Sequence, residues 1–217
     1  VFRLFPNANT IYGGGQLTVT QVTQGGTSLL AEITDDPTVL RVPLPIPLEP
    51  DETISLQLAF QADIPAGATN DYSGYGIFNR MLGVTALAGW YPALAEHSGG
   101  WLTPSVPQVG DAMVTQIGLF DVHLTVPRPY EVIATGITLA VLPQGEDNLW
   151  HLVSGPAREF ALIFSDRYTR YETTVDDIRA RFYALPANTA NTLPEQALLY
   201  MADALRVYAK HFGPYPY

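Results

Sequence analysis

The chain has 217 residues, no cysteine and a net charge of −10, from 21 acidic and 11 basic side chains. The acidic balance argues against a nucleic-acid partner, because phosphate binding depends on clustered lysine and arginine. The lack of cysteine excludes disulfides, thiolate nucleophiles and cysteine-ligated metals. Hydrophobic residues at 47% suffice for a core, and 18 glycines with 18 prolines favour many short strands and turns.

Most of the chain alternates apolar and polar residues with a period of two, as half-buried strands do. The clearest example is 120–126, which places His123 on the polar face. Proline at every second position of 43–47 keeps 42–50 out of a ladder, so we expect an extended cover whose apolar residues point to the core. Strands are predicted at 16–23, 28–34, 54–64, 120–126, 131–142, 149–153, 159–165 and 178–184.

Two regions depart from this pattern. The stretch 67–110 lacks clear periodicity and contains Trp90 and Trp101, which predicts a long loop that is functional or packed by its own aromatics. From Thr192 the apolar period changes to 3.6, which predicts a helix of about 18 residues that ends before Gly213. Thr192 and Glu195 have the spacing of a capping box. An apolar stripe is expected at Leu198, Met201, Leu205, Tyr208 and Phe212.

No catalytic or metal-binding constellation is predicted from the residues alone. The sequence has neither an HExxH zinc motif nor a GxSxG nucleophile elbow, and the glycines at 13–15 precede a strand, which favours a turn over a phosphate cradle. Of the four histidines, His123 is expected to be solvated or cross-strand, and His211 to be a cation at the helix C-terminus. His151 fits core or surface equally, and His97 lies in the loop-rich stretch, where an ordinary loop histidine is favoured.

Several short motifs, taken in order, resemble a known family. They are RLFPNA at 3–8, GWYPALA at 89–95, DVHLTVP at 121–127, VIATG at 132–136, AREFAL at 157–162 and FGPYPY at 212–217. This order is similar to the N-terminal part of a gluzincin zinc aminopeptidase, of the membrane alanyl aminopeptidase and leukotriene hydrolase type. Each motif is weak alone, but together they extend along the whole chain.

The resemblance implies a saddle-shaped, mainly β, antiparallel sandwich-like domain at 1–185. Residues 186–217 would then form a linker and the long C-terminal helix that begins a further, catalytic domain. The zinc motif, the third zinc ligand and the peptide-binding segment would lie downstream of Tyr217. The chain is therefore expected to bind no catalytic zinc and to be inactive alone, as the wall of the substrate cleft of its downstream partner domain. A cytoplasmic, secreted or membrane-anchored parent is compatible with the sequence.

The family places a glutamine and an acidic side chain near the substrate amine, but the matching stretch 83–92 has neither. These roles are assigned to no residue here. Trp90 and Tyr91 are expected either to line the mouth of the cleft or to anchor their loop in the β domain. Two alternatives stay open: a stand-alone β-sandwich module that binds sugar or protein through 67–110, and the arm of an inactive pseudo-peptidase.

Overall fold

The computed structural model describes residues 1–8, 12–67, 77–108, 113–186 and 193–215. It is mainly β, with antiparallel sheets and a long C-terminal α-helix, which confirms the predicted fold class. The strands are β1 (Phe2–Arg3), β2 (Gln16–Gln24), β3 (Thr27–Ser28), β4 (Glu32–Ile33), β5 (Val39–Arg41), β6 (Gln57–Asp63), β7 (Phe78–Met81), β8 (Val84–Leu87), β9 (Ala93–Leu94), β10 (Glu96–His97), β11 (Trp101–Leu102), β12 (Gly118–Pro127), β13 (Glu131–Ala134), β14 (Ile137–Gln144), β15 (Asp147–Ala157), β16 (Leu162–Ser165), β17 (Thr169–Val175) and β18 (Ile178–Ala184).

The strands pair into small sheets rather than one continuous sheet. Their orders are β4-β5-β1-β9, β3-β2-β6, β13-β16-β8-β7 and β12-β15-β14, with the two-stranded pairs β10-β11 and β17-β18. The sheet β12-β15-β14 contains the longest strands, of 10 and 11 residues. Within the described ranges β14 is an outer strand of this sheet, and Ile137, Leu139 and Leu142 on it are more than half exposed.

The structure corrects two strand predictions and adds strands that were not predicted. The predicted strand 28–34 is interrupted, because residues 29–31 belong to neither β3 nor β4. The predicted strand 131–142 is two strands, β13 and β14, because a turn at Thr135 and Gly136 interrupts it. Gly136 adopts φ 81°, a left-handed conformation that glycine accepts at little cost. Strand β17 was not predicted, although it forms a complete antiparallel ladder with β18. The glycines at 13–15 form the expected turn before β2, with Gly13 and Gly14 at positive φ.

The proline-rich stretch 42–50 contains no strand, in agreement with the predicted exclusion from a ladder. The expected cover is shorter than predicted. Val42 and Leu44 are half-buried, whereas Ile46 is 79% exposed and Leu48 is 46% exposed. The prediction that all four apolar residues face the core is therefore wrong for the second half of the stretch.

The stretch 67–110 is more regular than its sequence predicts. Its described part, 77–108, contains the five strands β7 to β11. These strands have two to four residues each, which is too short for a period of two to be recognised in the sequence. The expectation of one long loop is therefore wrong for 77–108, and 68–76 lies outside the described residues.

Two compact units make up the chain, Val1–Phe164 and Ser165–Tyr217. The first contains two apolar cores. The larger core includes Phe5, Tyr12, Phe78, Leu152 and Phe160, and the smaller includes Leu4, Leu17 and Leu40. The unit boundary precedes the predicted domain boundary at 185/186, and the assignment of 186–217 to a catalytic domain stays a prediction.

In the second unit, helix α1 (Pro194–Phe212) contacts β17 and β18. Its buried side is centred on Ala202, with Leu198, Met201 and Leu205 half-buried, so three of the five predicted stripe positions are confirmed. Tyr208 and Phe212 are instead 62% and 83% exposed. In the part of the chain that the structure describes, no helix is long and apolar enough to span a membrane.

The predicted C-terminal end of α1 is confirmed, and the N-cap is a different residue from the one predicted. The N-cap of α1 is Leu193, which makes no side-chain cap, and Pro194 occupies the first turn. Thr192 itself lies outside the described residues. At the other end Gly213 caps the helix at φ 94°, and Lys210 and His211 occupy the last turn as expected.

The first motif of the chain is buried and holds neighbouring segments together. Asn7 Oδ1 accepts a hydrogen bond from the Leu17 amide at 2.6 Å, and Asn7 Nδ2 donates to the carbonyls of Leu17 and Pro37. Arg3 is 1% exposed and donates through Nη2 to Pro104 O at 2.9 Å. The motif RLFPNA therefore has a structural role, because its side chains bind the backbone of β2 at Leu17 and the backbone at Pro104.

Candidate functional site

Trp90 and Tyr91 follow the turn at Gly89 and lie against the larger core. The Trp90 indole N–H donates to Phe160 O at 2.8 Å. The two rings meet edge to face at 5.3 Å, and the Tyr91 ring is 5.7 Å from that of Phe120. Both residues remain half-buried rather than fully buried. Through these contacts both aromatic side chains pack against the larger core.

The hydrogen bond of Trp90 joins two motifs that are far apart in the sequence. The backbone around Phe160 is also held by Thr135, whose Oγ1 accepts from the Ala161 amide at 3.0 Å and whose amide donates to Ala161 O. Thr115 Oγ1 donates to Arg158 O at 2.7 Å. The segment 157–162 is therefore the point at which the motifs at 89–95 and 132–136 meet.

Burial changes the chemistry of the Tyr91 hydroxyl. Desolvation raises its pKa to about 12, with a smaller contribution from the negative charge of Glu159, against an opposing hydrogen bond from the Phe160 backbone. The phenol therefore stays protonated throughout the physiological range. It can donate or accept a hydrogen bond, but it offers no phenolate near neutral pH.

Gly89 positions this pair of aromatics. It adopts φ 61°, and a Cβ added there would lie 3.0 Å from the Tyr12 hydroxyl and 3.2 Å from Phe5. Only glycine therefore accommodates both the turn and its close approach to the core. The stretch 83–92 combines this tight turn with a lack of acidic side chains and glutamine, so none of its side chains can bind a substrate amine as a carboxylate.

A second feature of the first unit is an open, mostly apolar cavity of about 620 Å³. Trp101 lies at its wall and is 46% exposed, with its ring 5.0 Å from that of His97 across the β10–β11 hairpin. Arg41 contributes the charged group of the lining. Apolar side chains form most of the remaining wall, among them Phe2, Val39, Val42, Leu44, Leu56 and Leu94.

Two of the four histidines, His123 and His211, lie where the sequence predicts them. His123 is cross-strand, as predicted, directly opposite His151 in the β12–β15 ladder, and His211 lies in the last turn of α1. His97 is an exposed strand residue rather than a loop residue. His151 is on the surface side of its strand, where its Nε2 lies 2.8 Å from Asp121 Oδ1.

The three residues Asp121, His123 and His151 form one cluster that sequence reasoning missed. One potential ligand atom of each lies within 4.8 Å of the other two. Since His151 is 30 positions from Asp121, the strand pairing alone brings them together. Recognising that 120–126 and 149–153 pair antiparallel would have been the only signal.

No protein-family model matches the sequence, and no curated protein matches it. Solved structures do match. An M1 zinc metallopeptidase from Deinococcus radiodurans superposes with a TM-score of 0.61 at 21% identity, over 99% of this chain and 46% of that chain. A mutant of the Deinococcus radiodurans enzyme bound to a Tyr-Ser-Ala substrate gives 0.62 over the same shares. A two-domain M1 zinc metallopeptidase bound to L-arginine gives 0.57 at 23% identity, over 92% and 44%.

The chain shares the fold of about half of these M1 zinc metallopeptidase structures. It spans less than half the length of the M1 structures that it matches. The resemblance predicted from the sequence motifs is thus confirmed at the level of the fold.

The residues of this chain do not fit a catalytic zinc site of the kind that the name zinc metallopeptidase implies. The sequence lacks HExxH, whose two histidines lie one helical turn apart with a glutamate between them as general base. The Asp121 cluster lies on two strands and includes no glutamate. No catalytic step through zinc can therefore be assigned to the residues of this chain.

Proposed function

We propose that this chain is the non-catalytic N-terminal β domain of a zinc-dependent metallo-aminopeptidase, and that it walls the substrate cleft of a downstream catalytic domain. One observation carries the proposal: 99% of this chain superposes on an M1 zinc metallopeptidase structure, but it covers only 46% of that chain. The remaining half of such a protein has no counterpart among these residues. A rigid set of small sheets is well suited to hold loops beside a neighbouring site.

The zinc, the peptide substrate and the aminopeptidase activity belong, on this proposal, to the longer parent protein. One M1 structure holds a Tyr-Ser-Ala substrate, and others hold L-arginine or L-tryptophan. Each of these ligands has a free α-amine, the group that an aminopeptidase must recognise. We therefore expect the parent to remove N-terminal residues from short peptides.

The first experiment is to translate the coding frame for roughly 150 codons beyond Tyr217, looking for HExxH followed by a glutamate ligand. The longer protein is then expressed and assayed with amino-acid p-nitroanilides, with and without a chelator, and the 217-residue chain serves as the control. Chelator-sensitive cleavage by the longer protein alone supports the proposal. A frame that continues without the zinc ligands identifies a pseudo-peptidase, and an early stop codon overturns the peptidase assignment.

We further propose that Trp90 and Tyr91 act at the cleft wall of the parent. Support comes from their partial exposure together with their contacts with Phe160 and Phe120, because a partly exposed aromatic ring packed against the core is a stable surface for a substrate side chain. In the longer protein Tyr91→Leu, which removes the ring, should change KM for large N-terminal residues more than for alanine, whereas Tyr91→Phe, which keeps the ring, should not. An equal change for both substrates would contradict the assignment.

A binding module remains the second candidate function, and the cavity beside Trp101 favours it. A half-exposed indole at the wall of an apolar cavity of 620 Å³ is a suitable platform for a sugar ring or an apolar side chain. Screening the 217-residue chain against a glycan array and a peptide library tests this directly. Specific binding that Trp101→Ala abolishes would support the module, and binding to neither library would leave the cleft-wall proposal alone.

A further inference from the structure

The polar face of the β12–β15 ladder brings two imidazoles and a carboxylate together. His123 and His151 are paired residues in the antiparallel register, so their side chains project from the same face. Asp121 lies two positions before His123 and therefore shares this face. All three belong to the same compact unit and to strands whose pairing is continuous from Phe120 to Pro127.

The distances within the cluster are short. The rings of His123 and His151 are stacked with centroids 4.4 Å apart and planes inclined by 29°. His151 Nε2 is 2.8 Å from Asp121 Oδ1. One ligand atom from each residue lies within 4.8 Å of the other two.

We propose that Asp121, His123 and His151 bind a divalent transition-metal ion of the zinc class at the protein surface. Two imidazole nitrogens and one carboxylate oxygen are ligands that zinc accepts, whereas magnesium and calcium prefer oxygen ligands throughout. The three protein ligands leave one tetrahedral position for water. The ion replaces the direct contact between His151 Nε2 and Asp121 Oδ1.

Only small movements are needed to close the site around an ion. Zinc–ligand distances of about 2.0–2.2 Å place tetrahedral ligand atoms roughly 3.3–3.5 Å apart. The widest pair of ligand atoms therefore approaches by at most about 1.5 Å, and His151 Nε2 and Asp121 Oδ1, now 2.8 Å apart, separate by about 0.5–0.7 Å. Rotation about side-chain torsions supplies both movements. The Asp121 side chain is 66% exposed and that of His151 is 30% exposed, so an ion reaches the cluster from solvent.

The composition of the chain makes the proposal easy to test. It has no cysteine and only four histidines, so few sites compete for a borderline-soft ion. His97 and His211 lie outside the cluster, on β10 and on α1. Both are exposed, which makes His97→Ala and His211→Ala matched controls for the removal of an exposed imidazole.

The experiment is isothermal titration of the tag-free 217-residue chain, first freed of metal with a chelator, with zinc chloride. We expect one ion per chain and a melting temperature that rises with zinc concentration, because the ion cross-links two strands in the folded state only. His123→Ala and His151→Ala should each weaken binding about ten- to a hundredfold or more, and the two control variants should not. Magnesium chloride should produce no saturable heat.

Three results would overturn the proposal. They are no saturable zinc binding up to millimolar concentration, equal binding by a His123→Ala/His151→Ala double variant, and loss of binding in a control variant instead. Circular dichroism of each variant verifies that the fold is retained. The titration uses only the residues of this chain, so its outcome is independent of whether the parent protein has peptidase activity.

Discussion

Replacing Trp90 with phenylalanine tests whether the aromatic segment is anchored as the structure indicates. Phenylalanine keeps an apolar ring but removes the indole N–H, which donates to Phe160 O at 2.8 Å. Phe160 itself is 0% exposed, so water has poor access to the carbonyl left without its donor. An unpaired buried acceptor costs about 1–3 kcal/mol of the free energy of unfolding.

This cost converts into a measurable change of melting temperature. For a chain of 150–250 residues, 1 kcal/mol corresponds to about 2–4 °C, so Trp90→Phe should lower the melting temperature by about 2–12 °C. Trp90→Ala should cost more, because it also removes the ring contacts with Phe60 and Tyr91. The free energy of unfolding lost in Trp90→Ala should lie towards the lower end of the range of about 3–5 kcal/mol that is typical of buried tryptophan, since Trp90 is half-buried.

The assay is thermal and urea denaturation followed by far-ultraviolet circular dichroism. Trp101→Phe is the matched control, because Trp101 is 46% exposed and its replacement should change stability by no more than about 0.5 kcal/mol. Equal stability of the Trp90→Phe and Trp101→Phe variants would refute the anchoring. If Trp90→Phe lowered activity in the longer protein without lowering its melting temperature, Trp90 would contact substrate rather than hold the loop.

Three further predictions follow from local geometry. Gly136→Ala should lower the free energy of unfolding, measured by denaturant titration, by at least about 2 kcal/mol, because the added Cβ meets the Val153 carbonyl. Gly145→Ala, with open space around the added Cβ, should lower it by about 1 kcal/mol. Because burial raises the Tyr91 pKa to about 12, the Tyr91 phenol ionises at lower pH in the unfolded chain than in the folded chain. The melting temperature should therefore fall between pH 10 and 12, and it should fall less in Tyr91→Phe. Residues 1–164 should melt cooperatively alone; non-cooperative melting would contradict the division into two units.

The fold class was predictable because alternation is a local signal. Strands β12 and β18 repeat apolar residues with a period of two over seven residues, and the sequence locates each within about two residues. Strands β7 to β11 have only two to four residues, which is at most two repeats of that pattern. Their existence depends on pairing with partners elsewhere in the chain, which no local pattern contains.

The candidate sites were less predictable for the same reason. The motif around Trp90 was visible in the sequence, but its contact with the carbonyl of Phe160, 70 positions away, was not. His123 was correctly placed on a polar face, yet its partner His151 could be identified only from the strand register. At α1 the sequence suggested Thr192 as N-cap, whereas Pro194 in the first turn makes Leu193 the N-cap.

The outer position of β14 has a practical consequence for handling this chain. Its core sequence, ITLAVL at 137–142, carries no charge and no proline, and Ile137, Leu139 and Leu142 are exposed. An uncharged, apolar outer strand offers unpaired backbone groups to the same strand of another molecule. Concentrated solutions of the isolated chain should therefore form light-scattering particles with time. Lysine at position 139 would place a charge on this strand and should keep the preparation clear.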